Sequence, residues 1–192
     1  MNAKKILALA LAALMLLSLA ACGQSAEPIA TEAPAEPTEA PVEATEAPAE
    51  DTSVTVTDMT GREITLEEPA TRIVALTASD CEIICALGGM DLLVGRGTYC
   101  DSPAEVQEIP SVQSGYETNI EQIIALEPQV LLMSTMAQTE EQIKALEDAG
   151  VHVVVSDAQD IEGTYAAIRM IGALLGKNEE AETVIDGMKT TF

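Results

Sequence analysis

Short apolar runs alternate with helix-forming stretches from residue 72 to residue 132, and no other feature limits the possible folds of the chain as tightly. The runs at 73–76, 92–94, 130–133 and 151–155 are nearly continuous in Val, Ile, Leu, Ala and Met, as strands covered on both faces require. Helical stretches at 79–87 and from Asn119 fall between them. Strands separated by helices run parallel, which specifies an α/β, Rossmann-like sheet that receives ligands in the loops at its strands' carboxyl ends. Thr77 and Ser79 follow the first strand, Tyr99 and Asp101 follow the second, and Tyr116 lies in the next such loop. Glu121 sits in the first turn of the following helix.

Local signals agree with this layout. Residues 54–57 and 62–66 alternate apolar and polar side chains around turn residues at 58–61, the pattern of an N-terminal β-hairpin. Thr139 with Gln142 forms a capping box, and Gly150 closes that helix as its C-terminal cap. Asn119 with Gln122 repeats the box, Ile120, Ile123 and Ile124 make the buried stripe, and Pro128 stops the helix ahead of the next strand. A helix from Ile161 to about residue 175 breaks at Gly176 and restarts with Asn178 as cap. Phe192 ends the chain with no Gly, Asn or Pro stop signal, which fits a frayed terminal helix or a sequence cut in mid-pattern.

The first 53 residues read differently. Lys4 and Lys5 precede an apolar run at 6–17, and Leu19, Ala20 and Ala21 stand immediately before Cys22. This is the layout of an export signal, 1–21, with a small-residue cleavage site; the run is shorter than the roughly 20 apolar residues of a membrane span. Residues 23–53 repeat Thr-Glu-Ala-Pro at Thr31, Thr38 and Thr45 and hold no Lys or Arg. Regular prolines and like charges cannot offset the entropy of ordering, so the segment reads as an extended stalk. Across the whole chain, 32 Asp plus Glu against 9 Lys plus Arg give a formal net charge of −23. That balance excludes nucleic acid as a partner, because phosphate binding needs a basic footprint.

Leu19-Ala20-Ala21-Cys22 resembles the lipobox of bacterial lipoproteins, which would make Cys22 the lipidated first residue of a mature chain held at the outer face of the cell membrane. Further on, an ordered set of segments begins with the hairpin ending in Gly61-Arg62-Glu63-Ile64 and the strand at 72–76. It continues through Ala86-Leu87-Gly88-Gly89, Tyr99-Cys100-Asp101-Ser102-Pro103, Ile109-Pro110-Ser111-Val112, Asn119-Ile120-Glu121 and the run at 125–132. In this order they resemble the substrate-binding lipoproteins of bacterial ABC importers for cobalamin, haem and iron-siderophore complexes. The resemblance implies a two-lobed clamshell with ligand held between α/β lobes joined by one long helix. This chain matches half of it: a first lobe at 54–160 and, at 161–192, the helices leading into the connecting helix. The implied ligand is a metal chelate or corrinoid, with no enzymatic activity and no resident cofactor. The implied partners are ABC permease subunits, with the receptor itself a monomer. Glu121 matches the glutamate that pairs with permease arginines in that family.

Each candidate residue also has a plainer reading. The Tyr99 ring and hydroxyl suit a large, part-apolar ligand, or the ring packs on the core. Asp101, ahead of Ser102 and Pro103, contacts ligand or shapes a turn through its own carboxylate. Thr77 and Ser79 lie where free N–H groups and a helix dipole receive a polar ligand group, and Ser79 is equally an ordinary N-cap. Tyr116 is a second aromatic candidate for the cleft. Glu121 complements the helix dipole or docks a partner. Cys81, Cys85 and Cys100 suggest a metal or redox site, but His152 is the sole histidine and no Cys-x-x-Cys pair exists, so small buried or half-buried thiols are the simpler reading. The same scarcity of histidine argues against a zinc or manganese receptor.

Rival functions lack their motifs. Gly95-Arg96-Gly97 follows a strand, but no third glycine comes three residues later, and neither a Gly-x-Ser-x-Gly elbow nor a phosphate-binding Gly-Lys-Ser/Thr loop occurs. A stalked surface protein that binds a partner without using a cleft, and a non-functional remnant of a receptor, are the other readings of the same layout.

Overall fold

A computed structural model of the protein describes residues 52–115, 117–135 and 139–191. The hairpin forms as expected: β1 (Val54–Thr57) pairs antiparallel with β2 (Glu63–Leu66) in the register Val54 to Leu66 and Thr57 to Glu63. The strands β3 (Ile73–Ala75), β4 (Leu93–Gly97), β5 (Ser111–Val112), β6 (Val130–Met133) and β7 (His152–Val155) then build one all-parallel sheet in the order β5-β4-β3-β6-β7.

The helices are α1 (Ala78–Ala86), α2 (Ile120–Ala125), α3 (Glu140–Asp148), α4 (Ile161–Leu174) and α5 (Asn178–Thr191). Strand side chains alternate between two cores, as a period of two demands. Ile73, Ala75, Val130, Leu132 and Val154 face α1, α4, α5 and the hairpin. Val74, Leu131, Met133, Val153 and Val155 face α2 and α3. Burial on both faces is why these strands read as unbroken apolar runs.

Several expectations shift. The second strand starts at Leu93, because Met90–Leu92 forms a 3₁₀ turn, and it runs on through Gly95 and Gly97. A Cβ at Gly97 would stand 2.1 Å from the Leu76 carbonyl oxygen, so the strands approach as closely as they do only because the residue has no side chain. The two-residue strand β5 is too short to leave a pattern in the sequence. The capping box of Thr139 and Gln142 is complete, and Gly150 at φ +83° caps α3. At α2 only half the box forms: Asn119 accepts from the Gln122 N–H at 3.0 Å, while the Gln122 side chain turns away to the Gln113 N–H at 3.1 Å.

Candidate functional site

The strand order creates a switch point. β3 leads through α1 on one face of the sheet to its neighbour β4, whereas β6 leads through α3 on the opposite face to β7. Between β3 and β6 the two connections leave toward opposite faces, the position outside the carboxyl ends where open α/β sheets receive ligands. Thr77 and Ser79 stand on its β3 side, with Ser134 and Thr135 on its β6 side.

Thr77, not Ser79, caps α1. Its Oγ1 accepts from the Asp80 N–H at 3.1 Å and donates to Asp80 Oδ2 at 2.5 Å. The helix begins one residue earlier than the sequence suggests, which moves Ser79 into the first turn, exposed, with its Oγ 3.1 Å from Thr77 Oγ1. Thr77 is therefore committed to the helix end, and Ser79 keeps a hydroxyl at the surface.

Asp80 is the site residue that sequence reasoning missed. It is fully buried, and Oδ1 has no hydrogen-bond partner among the described residues. Burial pushes its pKa up to about 6; the Thr77 and Ser156 hydroxyls favour the charged form, and the nearby Asp157 opposes it. A first-turn Asp ordinarily looks outward to serve the helix dipole. Here α1 packs so that this residue points back toward the end of β7. Only the long-range contact with residues 156 and 157 reveals it.

Beyond β4, Tyr99 is the most exposed large hydrophobic side chain among the described residues, at 75%. The core-packed alternative for its ring is thereby overturned: the ring stands free at the carboxyl edge. It leans toward the loop after β5, since a Cβ at Gly115 would lie 4.0 Å from its Cε2. The two loops are also joined by the Thr98 N–H to Ser114 Oγ at 3.1 Å and by Thr98 Oγ1 to the Val112 carbonyl at 3.2 Å. Asp101 is exposed, and among the described residues only its carbonyl is engaged, accepting from Gln107 Nε2 at 3.1 Å. Its carboxylate thus makes no turn, contrary to the plainer expectation. Arg96 organises this loop from beneath, donating to the carbonyls of Cys100 at 3.0 Å and Ile109 at 3.2 Å. The Gly95-Arg96-Gly97 sequence is therefore a strand with a loop anchor.

Glu121 is exposed at the start of α2 and lines a shallow depression with Gln113, Glu117 and Asn119. A second cavity, of about 340 Å³, opens beside the ends of β6 and β7 between Met133, Thr135, Val155 and Lys144. A third, of about 370 Å³, holds His152 and Gln129 at the opposite, amino end of the sheet, away from every candidate. Among the described residues, no three of His, Cys, Asp and Glu converge to hold a metal ion. Cys22 and Tyr116 lie outside the described residues.

Comparison with known proteins places these features in context. Residues 73–192 match the family model described as periplasmic binding protein. Over 140 residues the chain is 35% identical to the uncharacterized ABC transporter substrate-binding lipoprotein YvrC of Bacillus subtilis, an alignment covering 71% of this chain and 44% of that protein. It is 29% identical over 113 residues to the vitamin B12-binding protein of Salmonella choleraesuis, covering 59% of this chain and 42% of the relative. Among solved structures, the periplasmic heme binding protein from Pseudomonas aeruginosa superposes with a TM-score of 0.60 at 30% identity, covering 63% of this chain and 44% of that one. The chain thus spans less than half the length of each of these three relatives.

Proposed function

The chain belongs to the periplasmic binding protein family, and from that premise we propose that it is the extracytoplasmic, non-enzymatic receptor of an ABC importer. In this reading Cys22 carries the lipid that anchors it to the outer face of the membrane, and the stalk at 23–53 holds the lobe clear of the bilayer. The ligand is a cobalamin, a haem or an iron-siderophore, handed to permease subunits by a monomeric receptor.

The observation that carries the reading is the carboxyl edge of the sheet, where the exposed Tyr99 ring, the uncommitted Asp101 carboxylate and the Ser79 hydroxyl stand along one rim. An apolar plate flanked by a few polar groups suits a large, flat, part-apolar ligand. Thr77 sets the position of Ser79, and Tyr116, from the neighbouring loop, completes the proposed contact set. Glu121, exposed in the first turn of α2, is the docking contact for a basic permease surface.

Uptake of radiolabelled cobalamin or ferric siderophore, measured alongside ligand binding by the purified receptor, separates the two roles. Glu121→Ala is expected to cut uptake about tenfold or more while affinity stays within twofold, because removing a charge at a docking surface costs on the order of 1–3 kcal/mol. Unchanged uptake would remove Glu121 from the docking role.

A further inference from the structure

The three thiols left after Cys22 are not scattered. Cys81, in the first turns of α1, and Cys100, in the loop after β4, are both fully buried, and each Sγ lies 3.7 Å from the same atom, the Ala75 carbonyl oxygen at the end of β3. The two thiols thus converge on one carbonyl oxygen, and each shifts the titration of the other. Cys85 is one turn further along α1 and only half buried. Side chains at i and i+4 of a helix run parallel, a poor arrangement for a disulfide, so Cys81 faces a partner across the fold and not along its own helix.

We infer that Cys81 and Cys100 form a disulfide as the chain folds in an oxidising compartment, tying α1 to the loop that carries Tyr99 and Asp101. The inference rests on the proposed extracytoplasmic setting for its oxidant; the juxtaposition of the thiols does not. Both sulfurs are closed off in the folded chain, so the exchange precedes final burial. The two thiols are equivalent in the exchange, because the folded surroundings that shift them are not yet complete. With Cys100 reacting first, its thiolate attacks one sulfur of a small-molecule disulfide or of an oxidase's disulfide centre and expels one thiolate. Cys81 then loses its proton and displaces the second thiol from Cys100. Two protein thiols are oxidised, one disulfide is reduced to two thiols, and both electrons leave with the oxidant.

The consequence is a fixed rim. The bond would close a loop running from α1 through β4, leaving Tyr99 and Asp101 beside a covalent anchor, so that less freedom is lost when a ligand binds. Cys85, whose thiol is raised by burial and by Glu105, is left as the free thiol, which accounts for the odd number.

The test uses the full chain carrying Cys22→Ser, reduced, unfolded and refolded in mixed oxidised and reduced glutathione, then alkylated and mapped by mass spectrometry. The expected product is lighter than the reduced chain by two hydrogens, is alkylated only at Cys85, and joins the peptides of Cys81 and Cys100. Reduction should lower its Tm by about 5–10 °C, and Cys85→Ser should behave like the parent. Three alkylated cysteines, or a bond that includes Cys85, would overturn the inference; the parent's peptide map decides the point even if Cys81→Ser or Cys100→Ser fails to fold. Acid-quenched alkylation in producing cells should find the pair blocked. Free thiols there, after crosslinking on refolding, would overturn the oxidising setting. Ligand titration of the crosslinked protein is independent: a crosslinked chain that binds nothing sinks the receptor reading and leaves the disulfide standing.

Discussion

Two carboxylates, Asp58 in the hairpin turn and Asp80 in α1, are both buried near the end of β7, and they are treated oppositely. Asp58 Oδ1 accepts from Thr60 N–H at 2.9 Å, Thr60 Oγ1 at 2.7 Å and Arg62 N–H at 2.9 Å, while Oδ2 accepts from the Arg62 guanidinium at 2.9 Å and Val155 N–H at 3.3 Å. Burial alone would raise its pKa, but these donors outweigh it and hold the carboxyl below its ordinary value. Asp80 has its Thr77 partner on Oδ2 and, among the described residues, none on Oδ1, so burial prevails. The first carboxylate fastens the hairpin to the sheet. The second keeps one carboxylate oxygen with no hydrogen-bond partner among the described residues.

The pair can be broken from either end, and the largest effect is expected at Asp58. Asp58→Ala strands the Thr60, Arg62 and Val155 donors and should cost about 3 kcal/mol in urea unfolding, the low end for a broken buried pair because the Arg62 side chain is 37% exposed. Asp80→Asn should do the reverse and stabilise the chain by about 2 kcal/mol at pH 7, since it removes a charge that burial disfavours.

The pH dependence separates them further. Asp80 has a folded pKa above its unfolded value, so the folded chain retains a proton that the unfolded chain releases, and its contribution weakens as pH rises from about 4 to about 6. Asp58 has a lowered folded pKa; its contribution is complete above the unfolded carboxyl value and is lost as pH falls through the folded one. Unfolding curves across this range should lose the first slope in Asp80→Asn and keep the second. A smaller effect tests the helix end: Thr77→Ala should cost about 1 kcal/mol as a lost cap, and Ser79→Ala less than about 0.5. Equal losses would return the cap to Ser79.

Much of the fold was legible because burial on both faces writes itself into composition: β3, β6 and β7 are apolar at every position but the exposed His152. The box at Thr139 and the stop at Gly150 were legible because their bonds close within a few residues. What escaped depends on distant partners. The extension of β4 through Gly97 reflects the approach of Leu76, the diversion of Gln122 reflects Gln113, and the burial of Asp80 reflects the end of β7. Tyr99 was found by its place after a strand, but its exposure could not be read from its neighbours in sequence.

The central claim is that the carboxyl edge bearing Tyr99 is a ligand wall. Calorimetric titration of the full-length gene product with cobinamide, haemin and a ferric siderophore, repeated with Tyr99→Ala, tests it most directly. The account predicts that one of the three binds and that Tyr99→Ala weakens it about tenfold, the scale of one aromatic contact, with Tm unchanged. Binding of none of them, or equal affinity in the variant, would contradict it.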